Sequence, residues 1–219
     1  MRTGAFHDDP TLWRAELAFH PSSIQARLGL MEAAVEANDG AAARVRGREI
    51  VATTRFGDPR RLAALFGLGR LASDAGDGET ARALFEQVRG EIVARGSVDS
   101  LDPTLHLAWV ALANATRTDA GPAAAATLLD EGVRWFGRQP RLLQGLGVCR
   151  DQQGDAPGAE ALYREALAKG DDTAELRYHL ALALIHQGRP DEARRELELA
   201  LTLAPSDVSS RRLLDELSH

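Results

Sequence analysis

The stretch "HLALALIHQGRPDEARRELELALTLAPS", residues 179–206, decides the fold. Its leucines and alanines recur at helical spacings of three and four residues, and Gly188 followed by Pro190 interrupts them. The stretch therefore predicts two helices joined by a tight turn. Two antiparallel helices approach closely only where side chains are small, so Ala181 and Ala193 mark the expected crossing points.

The same pattern recurs every 34 residues along the chain. Gly147, for example, stands in its copy where Ala181 stands in the last one. The five copies are residues 24–57, 62–95, 106–139, 140–173 and 174–207. A tail and a half copy precede them in residues 1–23, and an amphipathic helix is predicted in residues 208–219. Residues 96–105 interrupt the strict period, and we interpret them as a loop between copies rather than a domain boundary.

The pattern resembles the tetratricopeptide repeat, whose period is also 34. The residues that carry the resemblance are Leu180, Ala181, Leu184, Gly188, Ala193, Leu197, Ala200 and Pro205. The resemblance covers residues 24–207 and implies an all-α fold. That fold is a right-handed α-α superhelix, or solenoid, of about five helix-turn-helix repeats with a C-terminal capping helix. Gly47 replaces a bulky residue, so we expect the second helix of the first copy to be displaced or shortened.

The composition limits the function and the location of the protein. The formal net charge of −6 argues against a general binder of nucleic acid or of anionic membranes. No segment approaches the roughly 18 apolar residues of a membrane span. The start "MRTGAFHDDP" has no apolar core of a signal peptide, and the single cysteine cannot form an internal disulfide. We therefore expect a cytoplasmic protein, and its alanine- and arginine-rich composition is typical of GC-rich bacterial genomes.

No group of residues has the spacing of an active site. His179 and His186 share one helical stripe, but seven residues span about 10.5 Å, which is too far for one metal ion. Cys149 lies beside Leu146 on an apolar face, and we interpret it as a buried small residue rather than a reactive thiol. We expect no enzymatic activity, no metal and no cofactor.

The resemblance also implies a binding groove, because the first helices of tetratricopeptide repeats line a concave surface. The candidates it gives are Phe66, Arg70, Val110, Asn114, Arg117, Arg141, Gln144, Tyr178, Leu182, Ile185 and His186. The apolar members exceed what a solvated groove requires. The arginines and Asn114 form a basic, polar strip that could hold a carboxylate or an acidic peptide. Val110 replaces the lysine of family members that clamp chaperone tails, which argues against that type of clamp.

These features favour a non-catalytic scaffold or adaptor that binds a peptide or an amphipathic helix of a partner protein in its groove. Two alternatives stay open. Arg44, Arg48 and Arg55, on one face of a helix, could let a regulatory or accessory subunit contact nucleic acid or phosphate, although the acidic net charge disfavours nucleic acid. The chain could also be a homo-oligomeric structural protein. The groove itself could be covered by the C-terminal helix or by residues 96–105.

Overall fold

A computed structural model of the protein describes residues 10–217. Within this range the chain forms α-helices and one short 3-10 helix, with no strand. The α-helices are α1 (Pro10–Phe19), α2 (Ile24–Glu36), α3 (Gly40–Thr53), α4 (Pro59–Asp74), α5 (Gly78–Arg95), α6 (Leu107–Ala120), α7 (Pro122–Phe136), α8 (Pro140–Gln152), α9 (Ala156–Ala168), α10 (Ala174–His186), α11 (Pro190–Leu203) and α12 (Val208–Glu216), and the 3-10 helix is Pro103–His106. The predicted all-α repeat class is confirmed. Of these helices, none is both long enough and apolar enough to cross a bilayer.

Consecutive helices pack on one another from α2 to α5 and from α7 to α11. The pairs α2/α3, α4/α5, α6/α7, α8/α9 and α10/α11 correspond to the five 34-residue copies. Helix α1 packs on α2, and α12 packs on α11. The chain divides into two compact units, of which the first ends at Ala108 and the second begins at Trp109, within α6. The first unit therefore holds the first two copies, and the second unit holds the last two copies and nearly all of the third.

Glycines with a left-handed backbone make the turns inside the copies, as the sequence predicts. Gly76, Gly154 and Gly188 have φ angles of 77°, 84° and 74°. A residue with a Cβ rarely adopts this conformation, whereas glycine does so without steric cost. Aspartates follow two of these glycines and cap the next helix, with Asp77 accepting from the N–H of Thr80 and Asp155 from that of Gly158.

Small residues lie where helices cross, which also confirms the sequence interpretation. Ala181 and Ala193 are completely buried in the core of the last two copies. A Cβ built on Gly147 would lie 2.8 Å from Cδ1 of Tyr163, closer than carbon atoms pack. The glycine thus leaves room for a tyrosine ring that is itself buried.

The expectation that Gly47 displaces or shortens the second helix of the first copy is wrong. That helix, α3, has 14 residues and packs on both α2 and α4. A Cβ on Gly47 would lie 2.8 Å from Cγ of Leu68. Leu68 and Met31 fill the space that a bulky residue at position 47 would occupy, so the helix keeps its length.

A buried ion pair holds the connection between the first and second copies. Glu91 of α5 is 3% exposed, and its Oε1 accepts from Nε of Arg61 at 2.7 Å. Its Oε2 accepts from the backbone N–H of Gly57 at 2.8 Å. Arg61 also donates to the carbonyl oxygen of Val51, and Arg95 donates to that of Gly57. The loop between α3 and α4 is thereby fastened to α5.

Helix α12 closes the apolar core of the last two copies. Leu213, Leu214 and Leu217 pack against that core. The carbonyl oxygen of Leu217 accepts from Nη2 of Arg194 at 2.7 Å, which joins the end of α12 to α11. A terminal helix of this kind shields apolar surface that would otherwise face water.

Candidate partner-binding surface

In the first unit, the candidates Phe66 and Arg70 border a pocket of about 270 Å³. Phe66 is only 8% exposed, and its ring packs on that of Phe85 with centroids 5.8 Å apart. Phe66 is therefore mainly a core residue whose edge reaches the pocket. Arg70 is exposed.

The protein's own chain forms one wall of this pocket. Asp102, Thr104 and Leu105 line it opposite residues of α2 and α4. Leu105 is 1% exposed, so the segment that was predicted as a loop between copies contributes a buried side chain here. This part of the surface is consequently narrower than an open groove.

The other nine candidates lie on the first helices of the copies in the second unit. They are Val110, Asn114 and Arg117 on α6, Arg141 and Gln144 on α8, and Tyr178, Leu182, Ile185 and His186 on α10. Asn114 and His186 are exposed, Gln144 is buried, and the other six are partly buried. Partly buried apolar side chains thus accompany polar ones on the same three helices.

Two polar contacts join α8 to α10 across equivalent parts of adjacent copies. Nη1 of Arg141 donates to Oε2 of Glu175 at 3.0 Å, and these residues are 34 positions apart. Nδ1 of His186 lies 2.8 Å from Oδ1 of Asp151. Arg141 also donates to Oε1 of Gln144, which is only 5% exposed. Gln144 therefore orients Arg141 and offers little surface to a partner.

Arg117 differs from Arg141 because part of its guanidinium lacks a partner. Its Nε is buried and has no hydrogen-bond acceptor among residues 10–217. Buried donors are nearly always paired in folded proteins, since an unpaired one costs about 1–3 kcal/mol. Arg117 is thus the candidate whose side chain has a hydrogen-bond donor without an acceptor.

Aromatic rings of α9 and α10 surround His179. The ring of His179 stacks on Tyr163 with centroids 6.1 Å apart and meets Tyr178 edge-on at 5.7 Å. Burial lowers the pKa of His179, as does the nearby positive charge of Arg117, while Glu175 and Asp151 act in the opposite direction. Charges from α6, α8 and α10 therefore converge around a neutral imidazole.

Metal ligation and thiol chemistry find little support in the described part of the chain. Within residues 10–217, no group of three or more His, Cys, Asp or Glu side chains is placed to hold a metal ion. Cys149 is buried, as predicted. Burial raises the pKa of its thiol, although Arg117 and Arg150 act in the opposite direction.

The predicted face of three arginines is wrong, because α3 ends at Thr53 and Arg55 lies in the loop beyond it. Arg44 and Arg48 do share a face of α3. They border a separate pocket of about 640 Å³ between α3, α4 and α5.

A network of charged groups at the junction of the last two copies was missed by the sequence interpretation. Glu160 of α9 accepts from Arg164 at 2.8 Å, from Gln187 at 2.9 Å and from Arg189 at 2.6 Å. Burial raises the pKa of Glu160, but these three hydrogen bonds outweigh burial and lower it to about 2. The i,i+4 spacing of Glu160 and Arg164 was a signal for one of the bonds.

Because of this network, we expect the free energy of unfolding to fall at acidic pH. Because the pKa of Glu160 is about 2 in the folded state and near 4.5 when unperturbed, the network stabilises the protein above pH 4.5. That contribution is lost as the pH falls from about 4.5 to about 2. Glu160→Gln should lower the free energy of unfolding by about 1–2 kcal/mol at pH 7, and the difference from wild type should shrink toward pH 2. Urea unfolding at several pH values measures it.

The exposed Glu198→Gln variant serves as the control, and it should match wild type at every pH. A Glu160→Gln deficit that stayed constant from pH 7 to about pH 2 would contradict the assignment of the pKa to this network.

Repeated helix pairs with a 34-residue period define a helical-repeat protein. A sequence profile of the tetratricopeptide repeat matches residues 107–172 and 150–208. The chain belongs to the tetratricopeptide-repeat family. Proteins of this family commonly mediate protein–protein interactions and are generally non-catalytic scaffolds.

Solved structures with the same fold include several tetratricopeptide-repeat proteins. PilF of Pseudomonas aeruginosa has a TM-score of 0.73 and 17% identity, over 94% of this chain and 87% of PilF. TTC0263 of Thermus thermophilus has a TM-score of 0.59 and 25% identity, over 90% and 99% of the two chains. YrrB, a protein with an unusual peptide-binding site, has a TM-score of 0.62 and 12% identity, over 93% and 98%. No curated protein sequence matches this chain significantly.

Proposed function

We propose that this protein is a non-catalytic scaffold or adaptor that binds a peptide or an amphipathic helix of a partner protein. The binding surface consists of the first helices α6, α8 and α10 of its second unit. The observation that carries the proposal is that Arg117 on α6 is partly exposed and forms no ion pair among residues 10–217. A partner that supplies a carboxylate or a carbonyl oxygen would pair with this side chain.

A carboxylate is the better match for Arg117, because charge-assisted hydrogen bonds to guanidinium are about twice as strong as neutral ones. Arg141 already has Glu175 as its partner at 3.0 Å. Arg117 has no ion pair of this kind within residues 10–217. An acidic group of the partner would therefore be held first by Arg117.

Apolar contacts would supply the rest of the affinity. Val110, Tyr178, Leu182 and Ile185 are all partly buried, so each leaves some apolar surface in contact with water. Tyr178 also borders a pocket of about 280 Å³ together with residues of α12. An aromatic residue at the edge of a pocket is the type of residue that dominates binding energy in interfaces. A partner side chain in this pocket would contact the tyrosine ring and α12.

The fold neighbours support the class of function and no particular partner. YrrB is a member of the same fold with a peptide-binding site, and its 12% identity gives no information about which residues of this chain bind. The cytoplasmic location and the bacterial origin stay predictions.

A pull-down from native lysate tests the proposal. The double variant Tyr178→Ala/Arg117→Glu should lose at least about tenfold of the partner protein that the wild type captures, because it removes an apolar contact and reverses the charge that holds the acceptor. Arg134→Glu is the matched control, since Arg134 is an exposed arginine on the second helix α7. It should capture as much partner as the wild type.

Circular dichroism must show the same helical content for all three proteins. Equal capture by the wild type and the double variant would contradict the proposal. Light scattering on the same proteins tests the homo-oligomer alternative. A chain that associates with itself would have the mass of a dimer or a larger species.

A further inference from the structure

A second cavity in the first unit is the one that Arg44 and Arg48 border. It measures about 640 Å³ and lies between α3 and α5, above α4. We name it the α3–α5 cleft. Its apolar floor consists of Val51 and Ala52 of α3, Leu65, Leu68 and Ala72 of α4, and Leu84 of α5. The pocket beside Arg70 uses other residues of α4, so the two cavities are on different faces of that helix.

Two arginines stand at the rim of the α3–α5 cleft. Arg44 and Arg48 are four residues apart on α3, and both line the cleft. Neither side chain forms an ion pair or a hydrogen bond with any residue in 10–217. A floor of aliphatic side chains beside two unpaired guanidinium groups is a surface for a ligand that is apolar on one side and acidic on the other.

The last two copies show what closes the equivalent junction. Glu160 and Arg164 of α9 occupy the repeat positions of Arg44 and Arg48, and Gln187, Arg189 and Glu192 occupy those of Ala75, Asp77 and Thr80. There, Glu160 accepts from Gln187 and Arg189, and Nη2 of Arg164 lies 3.8 Å from Glu192. The protein's own charged side chains therefore bridge α9 and the start of α11.

None of these bridges is available in the first unit. Arg44 replaces the acceptor Glu160, and Thr80 replaces Glu192. Ala75 replaces the donor Gln187. Asp77 replaces Arg189 and caps α5, and neither arginine pairs with it, so the 640 Å³ cleft lies open at this place.

We infer that the α3–α5 cleft is a second binding site whose occupant is an amphipathic helix of a partner protein. The apolar stripe of this helix lies on the floor of the cleft. Two Asp or Glu residues four positions apart, beside that stripe, pair with Arg44 and Arg48. They supply the carboxylates that Glu160 and Glu192 supply in the second unit.

The shape and the charge of the cleft favour a helix over a phosphate ligand. The cleft runs between two helices and above a third, which is the geometry in which a further helix packs. A phosphate backbone would make no use of the apolar floor. The carboxylate of Asp77 at the rim would also repel it.

A synthetic peptide helix tests the inference on the full-length protein. The probe carries leucines at i, i+3, i+4 and i+7 and two glutamates four positions apart beside them, with a fluorescent label for anisotropy measurements. The wild type should bind it with a Kd below about 1 mM. Arg44→Glu/Arg48→Glu should weaken binding at least about tenfold. The same peptide with lysines in place of the glutamates should reverse the order of the two proteins.

Two matched variants complete the test. Arg55→Glu makes the same charge change in the loop outside the cleft, and Arg134→Glu makes it on the exposed face of α7. Both should bind the glutamate peptide like the wild type. Thermal melting should show that every variant is folded.

Three outcomes would overturn the inference. In the first, the wild type does not bind the glutamate peptide up to about 1 mM, and in the second, Arg44→Glu/Arg48→Glu binds it as tightly as the wild type. In the third outcome, a labelled oligonucleotide binds more tightly than the peptide and depends on the same two arginines. The last outcome would assign the cleft to a phosphate ligand.

Discussion

Tyr163→Ala is expected to lower the free energy of unfolding by about 3–5 kcal/mol, the range for truncating a large buried aromatic residue. Tyr163 is 1% exposed and lies in the core that the last two copies share. Its ring fills the space that Gly147 leaves on α8 and stacks on His179 of α10. Removal of the ring therefore leaves a cavity between three helices. Urea unfolding followed by circular dichroism measures the loss.

Two further variants test this explanation. Tyr178→Ala removes the only other tyrosine, which is partly exposed, and should cost about 1 kcal/mol or less. Gly147→Ala should destabilise the wild type, because its Cβ would meet the tyrosine ring. In the Tyr163→Ala background the same substitution should be neutral or stabilising. Equal effects of Gly147→Ala in both backgrounds would show that the two residues are not coupled.

Glu91→Ala is expected to cost about 3–5 kcal/mol, because removal of one partner leaves the other charge buried without compensation. Glu91 accepts from Arg61 at 2.7 Å and from the backbone of Gly57 at 2.8 Å. Both donors would lose their acceptor, and the loop between α3 and α4 would lose its link to α5. Chemical unfolding and hydrogen exchange of residues 54–58 measure the two effects.

The exposed pair of Glu86 and Arg89 provides the control on the same helix. Glu86→Ala should change stability by less than about 0.5 kcal/mol, since exposed ion pairs contribute little. The double variant Arg61→Leu/Glu91→Leu should recover most of the loss, because two apolar residues leave no buried charge. If Glu91→Ala costs no more than Glu86→Ala, the buried pair does not hold the loop.

Much of the fold could be predicted because its determinants are close together in the sequence. The turns at Gly76, Gly154 and Gly188 and the crossing residue Ala181 follow from helical periodicity and the size of side chains. Gly47 was misinterpreted because the compensating side chain, Leu68, comes from the next copy. Periodicity within one copy does not contain that information.

The candidate site was predicted less completely, for the same physical reason. The sequence placed Arg117 and Arg141 in one basic strip, but Arg141 is paired with Glu175 and Arg117 has an unpaired Nε. Phe66 has the right position in its repeat, yet it is only 8% exposed and packs on the ring of Phe85. Which candidates stay available depends on residues of neighbouring helices, and position within the repeat does not determine it.

The pair of Arg141 and Glu175 restricts how copies of the repeat can be duplicated or inserted in this chain. Both residues hold the second position of their copies, so the bond joins the same place in two successive modules. A tandem duplication of residues 140–173 would set arginine against arginine, and one of residues 174–207 would set glutamate against glutamate. The modules have thus diverged into an ordered series, and a designer who inserts or shuffles them must match the charges at each new boundary.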